Sequence, residues 1–539
     1  MNQLSKLLRN TSAIALGTVL SRITGLIRTA VIVAALGFGP LADAYAIGNT
    51  LPNIIYILTV GGALNAVFIP QLVRRMKDDS DGGKAFTDRL VTATLLILFA
   101  ITLAVVLLAP WLVKVYLPTD WAQSDKEATL LFARFLLPQI FFYGLFTLMS
   151  QILNSRDKFI LGAYAPIVNN IVVIITGMAF ITQVRVTNAN IISDASMVVL
   201  AVGTTLGIVL QALMMVPVVY RSGYKYRPRF DFKNSGLGKT SRLATWTVGL
   251  VLVNQIGYAA VTRIAATAND ATVNTVGVTA YQNAHLVMLL PHAVITVSLV
   301  TALLPSLART AHQKDLVSVG VDVERALRML AIVIVPLSLM VLAHGRDIMV
   351  ALFARGNANY LQTSLSGVVL SAFALSLIPF TMFYVLSRAA YAQEDTKTPF
   401  YLTILMNITQ LVVAAVFLLT TARPYWVTGL AIGYTAGYTA AAIGMYLVLR
   451  KPLQLHLNII GKTVINLIII SVPAIALSRV IVGLVEAFLP NNAWAALLQL
   501  VVAGVVAITA FFGLAQFRPV KELDEVWQLI RRKPNAKTS

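Results

Sequence analysis

The chain contains no cysteine. That absence excludes disulfides, thiolate metal sites and a cysteine nucleophile. Charge is also scarce: 12% of the 539 residues are Asp, Glu, Lys or Arg, while 58% are hydrophobic. A soluble protein of this length does not carry so much apolar surface, so the class is an all-α polytopic membrane protein. Carboxylates are the rarer sign, 22 against 42 Lys and Arg, which leaves a net charge of +20. In a membrane protein that surplus belongs in cytoplasmic loops, so no nucleic-acid partner is expected. The longest polar segment between spans, 220–242, is too short for a soluble catalytic domain. No His/Asp/Glu cluster has ligand spacing, and no nucleophile–base pair or phosphate-cradling glycine loop stands out. The expectation is a transporter, not an enzyme, with no metal and no cofactor. Any energy input is expected from the membrane potential or a coupled ion.

What is present is a succession of apolar runs of about 20 residues, the length of a spanning helix. Fourteen spans are expected, at 11–36, 44–70, 90–113, 130–153, 159–183, 197–219, 243–267, 275–307, 327–344, 364–391, 399–420, 426–449, 461–484 and 493–516. The first is too long for a signal-peptide core and reads as a retained span. An even count puts both termini on one side. Lys114, Lys126, Arg185, Arg346, Arg355 and Arg423 fall on the opposite side, and nearly all the other Lys and Arg share the side of the termini. That asymmetry makes both termini cytoplasmic. The segment 220–242 carries Arg221, Lys225, Arg227, Arg229, Lys233 and Lys239 with Tyr224, Tyr226 and Phe230. It is expected on the anionic inner leaflet. In the tail, Leu523, Val526, Trp527 and Ile530 recur at i, i+3, i+4, i+7, the pattern of an amphipathic surface helix.

The first twelve spans read as a duplication with an offset of about 235 residues. Phe68 to Arg74 returns as Leu303 to Arg309, Ala44-Tyr45 as Ala280-Tyr281, Asn170 as Asn407 and Arg28 as Arg263. Six spans per half makes the halves parallel, the arrangement of two-lobed transporters with a site between lobes. The expected domains are an N-terminal lobe at 1–220, a basic linker at 221–242, a C-terminal lobe at 243–450, an extra helix pair at 451–516 and a basic tail at 517–539.

Arg22 and Arg28 lie within the first span. A charge at mid-bilayer costs about 2.5–3.5 kcal/mol on insertion scales, so such residues face a wet cavity or a partner. Among carboxylates only Asp43 is expected inside a span. Cations without matching anions point to an anionic substrate, and a phosphate-bearing head group is the natural candidate. The candidate binding residues are Arg22, Arg28, Arg263, Asp43 and His285. Asp43 can pair with Arg28 or Arg22, or cap its own helix. Arg263 can face the cavity or bond exposed carbonyls. Arg134 and Arg479 are expected to snorkel from span ends. His285, near Gln282 and Asn283, is expected to line the cavity through hydrogen bonds, and His292 follows the kinking Pro291.

The stretch from Ser21 to Arg28 resembles the opening motif of the MurJ (MviN) family of bacterial lipid II flippases. So do Ala42-Asp43-Ala44, Leu51-Pro52-Asn53, Phe68 to Pro70, Leu304 to Leu307 and Gln393 to Pro399. The resemblance implies the fold of the multidrug/oligosaccharidyl-lipid/polysaccharide exporter superfamily: two six-helix lobes around a central cavity. Spans 13 and 14 would form a groove for a polyprenyl tail. It also implies a place in the bacterial cytoplasmic membrane and lipid II as the cargo, flipped outward by alternating access for cell-wall synthesis. Anionic inner-leaflet lipids and cell-wall synthesis proteins are the expected partners. The chain departs from the family pattern in places. The arginine pair after Leu-Pro-Asn is replaced near Tyr56 and Ile57, a glutamate by Gly61, and an arginine in span 8 by Leu286, beside His285. A flippase for another polyprenyl-pyrophosphate glycan, a cation-coupled multidrug antiporter and a membrane scaffold are the competing readings.

Overall fold

In a computed structural model, residues 3–61, 81–156, 158–186, 193–231, 241–270 and 275–518 are described. The tail helix at 521–532, the Phe68 to Arg74 turn and the linker from 232 to 240 lie outside these residues. Among those described, every regular element is helical. Twelve helices are long and apolar enough to cross a membrane, and a thirteenth is a pair bent by 45°. Each falls on one of the expected spans. The remaining expected span, 44–70, begins as a helix at Pro40 and leaves the described residues after Gly61.

The chain divides into two compact units. The first takes in Met1–Val273, Gly277–Thr279 and Arg355–Ala358, and the second the rest. The repeat in the sequence divides the chain at 243, one helix earlier. The helix in question is tied to the first unit by its end: Trp121 Nε1 donates to Ala266 O at 3.0 Å.

The first unit contains α1 (Gln3–Leu36), α2 (Pro40–Tyr56), α3 (Lys84–Leu107), α4 (Ala109–Tyr116), α5 (Gln123–Leu136), α6 (Gln139–Asn154), α7 (Ile160–Val186), α8 (Asp194–Leu213), α9 (Met215–Arg221) and α10 (Ser241–Ala268). Pro40 starts α2, where a missing N–H costs nothing. Ser193 caps α8 by accepting from Ser196 N. The core is filled by Phe38, Ile47, Leu51, Phe132, Leu136 and Phe180. Outward faces carry Ile97, Phe99, Leu107 and Trp111, apolar side chains suited to lipid contact.

The second unit contains α11 (Val278–Pro291), whose first turn is shared with the first unit, α12 (Val297–His312), α13 (Leu316–Phe353), α14 (Tyr360–Ala374), α15 (Leu377–Ala392), α16 (Lys397–Thr420), α17 (Trp426–Leu449), α18 (Leu457–Glu486) and α19 (Ala493–Ala515). Asp315, Asn359 and Asn492 cap α13, α14 and α19. Pro291 leads into a wider π-helical turn at His292–Thr296. The 38-residue α13 is the longest element here and bends at His344, whose φ of −117° and ψ of 18° are not helical. Hydropathy alone ends this span at 344, but the helix continues to Phe353.

Tyr45 and Tyr281, paired by the offset in the sequence, have similar surroundings, each within its own unit. Tyr45 is buried edge-on against Phe132, with ring centroids 5.4 Å apart, and bonds Thr204 at 3.0 Å. Tyr281 is buried edge-on against Phe373 at 5.0 Å and accepts from Gln410 Nε2 at 3.2 Å.

Candidate functional site

Arg22 and Arg28 project from the middle of α1. Arg22 is exposed and Arg28 half-buried. The turn between them is fixed from outside: Asn170 of α7 donates to Ser21 O at 3.1 Å and to Thr24 Oγ1 at 2.9 Å. Gly25 faces the same asparagine. Thus the arginine-bearing segment is anchored by a polar clasp on its opposite neighbour, which leaves the two guanidinium groups for other partners.

Around Arg28 the structure gathers residues that no motif marked. Tyr45 and Tyr143 lie within Coulombic range of its guanidinium. Tyr143 donates to Gln139 Oε1 at 3.1 Å, Gln139 donates to Thr205 at 3.2 Å, and Thr205 returns its proton to Phe135 O at 2.7 Å. Tyr56 donates to Thr147 at 2.7 Å, and its ring centroid lies 5.9 Å from that of Tyr143. A chain of phenol and amide dipoles therefore lines this part of the first unit. The signal available in the sequence was the unusual presence of Gln and Tyr within apolar helices.

Asp43 is fully buried. It accepts from Asn269 Nδ2 at 2.8 Å, Val278 N at 2.9 Å and Thr279 N at 2.7 Å. Those last two amides open α11, so Asp43 caps a helix distant in sequence. Neither Arg22 nor Arg28 is among its partners. Asn269 also donates to Phe38 O at 3.1 Å, which closes the α1–α2 corner. A Cβ at Gly277 would press on Asp43 Oδ2 and Ala265 O, so only glycine fits beside the carboxylate.

Arg263 is exposed and donates to Val115 O at 2.8 Å, at the end of α4. It takes up one of the carbonyls that a helix end leaves free.

In the second unit His285 bonds Tyr434 at 3.2 Å and packs against Tyr281, Phe373 and Tyr434. The aromatic wall continues through Phe380 and Tyr438, whose rings are 4.8 Å apart. His292 bonds Thr381 at 3.2 Å and touches Phe380 and Tyr384.

Two sequence expectations are corrected. Asp43 is not the sole carboxylate inside a span: Asp347 is buried within α13, because that helix outruns the hydropathy window. Arg479 does more than snorkel, since it pairs with Asp347 at 3.4 Å and with Glu486 at 3.6 Å. Among the described residues no group of three or more His, Asp or Glu is arranged to hold a metal.

The family model for lipid II flippase MurJ matches residues 32–503. A probable lipid II flippase MurJ of Haemophilus influenzae is 26% identical over 481 residues, 86% of this chain and 90% of that protein. The lipid II flippase MurJ of Burkholderia cenocepacia is 25% identical over 403 residues, 73% of this chain and 75% of its own length. Among solved structures, a lipid II flippase MurJ in an inward closed conformation superposes with a TM-score of 0.73, at 18% identity, over 93% of this chain and 98% of that one. An inward-facing multidrug MATE transporter of the MOP superfamily superposes at 0.64 and 16% identity, over 82% of this chain and 98% of its own. With a family model matched over most of its length, this chain belongs to the lipid II flippase MurJ family.

Proposed function

We propose that this protein flips the lipid-linked peptidoglycan precursor lipid II from the inner to the outer leaflet of the bacterial cytoplasmic membrane, by alternating access, for cell-wall synthesis. Family membership supports the cargo. The observation that carries the mechanism is Arg28: a half-buried cation on an apolar spanning helix, hydrogen-bonded to no carboxylate among the described residues.

A guanidinium so placed calls for an anion. Pyrophosphate offers paired oxygens that match its fork of N–H donors, and such charge-assisted bonds strengthen away from water. Arg22, six residues along α1, supplies a second contact. Arg263 is a reserve cation that would exchange the Val115 carbonyl for phosphate oxygen. Asp43 acts through the α1–α2 corner that it clamps, and within the second unit His285 and its aromatic neighbours offer a surface suited to sugar or peptide groups of the cargo. The apolar faces of α18 and α19 suit the polyprenyl tail, and the exposed basic strip at 225–229 suits anionic lipids of the inner leaflet. Both termini are cytoplasmic in this reading. An inside-negative potential, worth about 2.3 kcal/mol per charge per 100 mV, draws the emptied cationic site back inward. The antiporter alternative has less support, because Asp43 already spends its oxygens on three N–H donors.

Native mass spectrometry of the purified protein with lipid II and with undecaprenyl phosphate tests the reading. Wild type is expected to prefer lipid II, and Arg28→Ala to lose that preference by about tenfold or more. Equal binding of both lipids, unchanged in the variant, would overturn the pyrophosphate site.

A further inference from the structure

A second polar cluster is built at the bend of α13, and none of the foregoing uses it. His344 and Ser478 are completely buried, and Asp347 nearly so. His344 Nδ1 lies 3.0 Å from Asp347 Oδ2, and its Nε2 lies 3.0 Å from Ser478 Oγ on α18. Arg479 joins Asp347 to Glu486. Arg346 reaches Glu486 at 3.6 Å and donates to Tyr360 of α14 at 2.6 Å.

Hydrogen-bond accounting shows what this arrangement can hold. Facing a carboxylate, Nδ1 carries a proton and donates it to Asp347. With His344 neutral, Nε2 is an acceptor and takes the Ser478 hydroxyl proton. With His344 protonated, Nε2 becomes a donor and Ser478 must accept. Its hydroxyl hydrogen then turns to Ile475 O, which stands ready at 2.8 Å. Both protonation states are satisfied without moving a heavy atom. The Ser–His–Asp order matches that of a hydrolytic triad. Here the hydroxyl is fully buried, so no acyl group can reach it.

Charge counting adds the second half. Arg346 and Arg479 balance Asp347 and Glu486, so the cluster is neutral with His344 neutral and carries one net positive charge once His344 is protonated. Of the other elements packed on α13, α19 has no ionisable residue, His292 is engaged with Thr381 and Arg388 with Tyr384, Arg309 and His312 lie at the end of α12 that leads into the start of α13, and Lys462 lies near the start of α18, away from Ser478. The side chains of Arg346, Arg479 and Glu486 are 42%, 39% and 28% exposed, so the ion pairs that begin at the buried Asp347 end at the protein surface. The site also lies at the bend of α13. A Cβ at Gly345 would collide with Ser371 Oγ and the Gly367 carbonyl of α14, so helices meet closely where α13 bends.

We propose that His344, with Asp347 and Ser478, is a proton-binding site that couples the flipping cycle to protons. This deepens the flippase reading and rests on it. A proton taken up at Nε2 adds a charge beside the bend of α13, and the conformation that best accommodates that charge gains population. His344 is a positioning and coupling residue, remote from the pyrophosphate.

Two measurements on the full-length protein test this. In lipid nanodiscs, 15N-histidine spectra recorded from about pH 5 to about pH 9 report the protonation of His344, identified by its loss in His344→Gln. In proteoliposomes with fluorescent lipid II, an imposed pH gradient is expected to change the flipping rate about fivefold or more in wild type. The response is expected to vanish in His344→Gln and to weaken in Ser478→Ala, which keeps the fold should the first variant not. A histidine that never changes state, or a gradient response that survives in both variants or is missing from wild type, would overturn the proposal. A wild type that flips no lipid II under any gradient while His344 still titrates would instead overturn the flippase reading.

Discussion

Asp43 shows how much one buried carboxylate can organise. Three N–H groups converge on it, two from the first turn of α11 and one from Asn269. Removing it strands those donors in a dry corner, and hydrogen bonds to a charged group contribute about 1.5–3 kcal/mol each. Asp43→Ala is expected to lower the stability of the purified protein by about 3 kcal/mol, measured as the midpoint of denaturation in micelles. Gly277→Ala pushes a methyl onto the same oxygen and should cost a comparable amount. Because both changes break one contact, the double variant should lose much less than the sum. Strict additivity would mean that the two residues act separately. The sequence made Asp43 visible as a rare carboxylate in an apolar setting, but its partners lie more than 220 positions away.

At the scale of elements, the basic segment after α9 is a strap laid along α3. Tyr224 is buried and donates to Asp88 at 2.7 Å, and Arg227 N donates to the same oxygen at 3.3 Å. Tyr226 bonds Thr92 at 2.8 Å, Arg229 N donates to Thr92 at 3.1 Å, and Arg89 pairs with Asp231. Arg89 holds the Asp231 carboxyl below the usual carboxylate range. This pair is therefore present at neutral pH and is lost only as pH falls through that lowered value. Composition revealed the charge of this segment. Its docking depends on alternate residues facing inward, which only the path of the backbone decides. Tyr224→Phe leaves Asp88 short of a donor and should loosen the strap. Trypsin cleavage after Lys225 or Arg229 is expected to quicken about tenfold or more if about 1.4 kcal/mol of local stability is lost. An unchanged cleavage rate would show that the strap does not depend on Tyr224.

For the whole molecule, the absence of cysteine becomes experimentally useful, since any introduced thiol is unique. The charge asymmetry between loops predicts Asn491, between α18 and α19, outside and Gln313, between α12 and α13, inside. Both are exposed. In intact cells a membrane-impermeant maleimide is expected to label Asn491→Cys and to leave Gln313→Cys unlabelled until the membrane is opened. The reverse pattern would invert the orientation and, with it, the direction of transport.

The sequence by itself determined the membrane class and the position of the apolar spans, because the bilayer imposes a length and a polarity that any chain must meet locally. It also determined the family, through linked motifs between Ser21 and Pro399, and it marked Arg22 and Arg28 because a charge is conspicuous against apolar neighbours. Tertiary structure alone decided what those charges meet. It set Tyr45 and Tyr143 within the field of the Arg28 charge, sent Asp43 to cap a distant helix, gave Arg263 a carbonyl, and carried α13 past its hydropathy limit so that His344 and Asp347 could meet Ser478 and Arg479. The physical reason is range. Hydrophobic transfer acts residue by residue along the chain, whereas hydrogen bonds and ion pairs act over about 3 Å between atoms that only folding brings together.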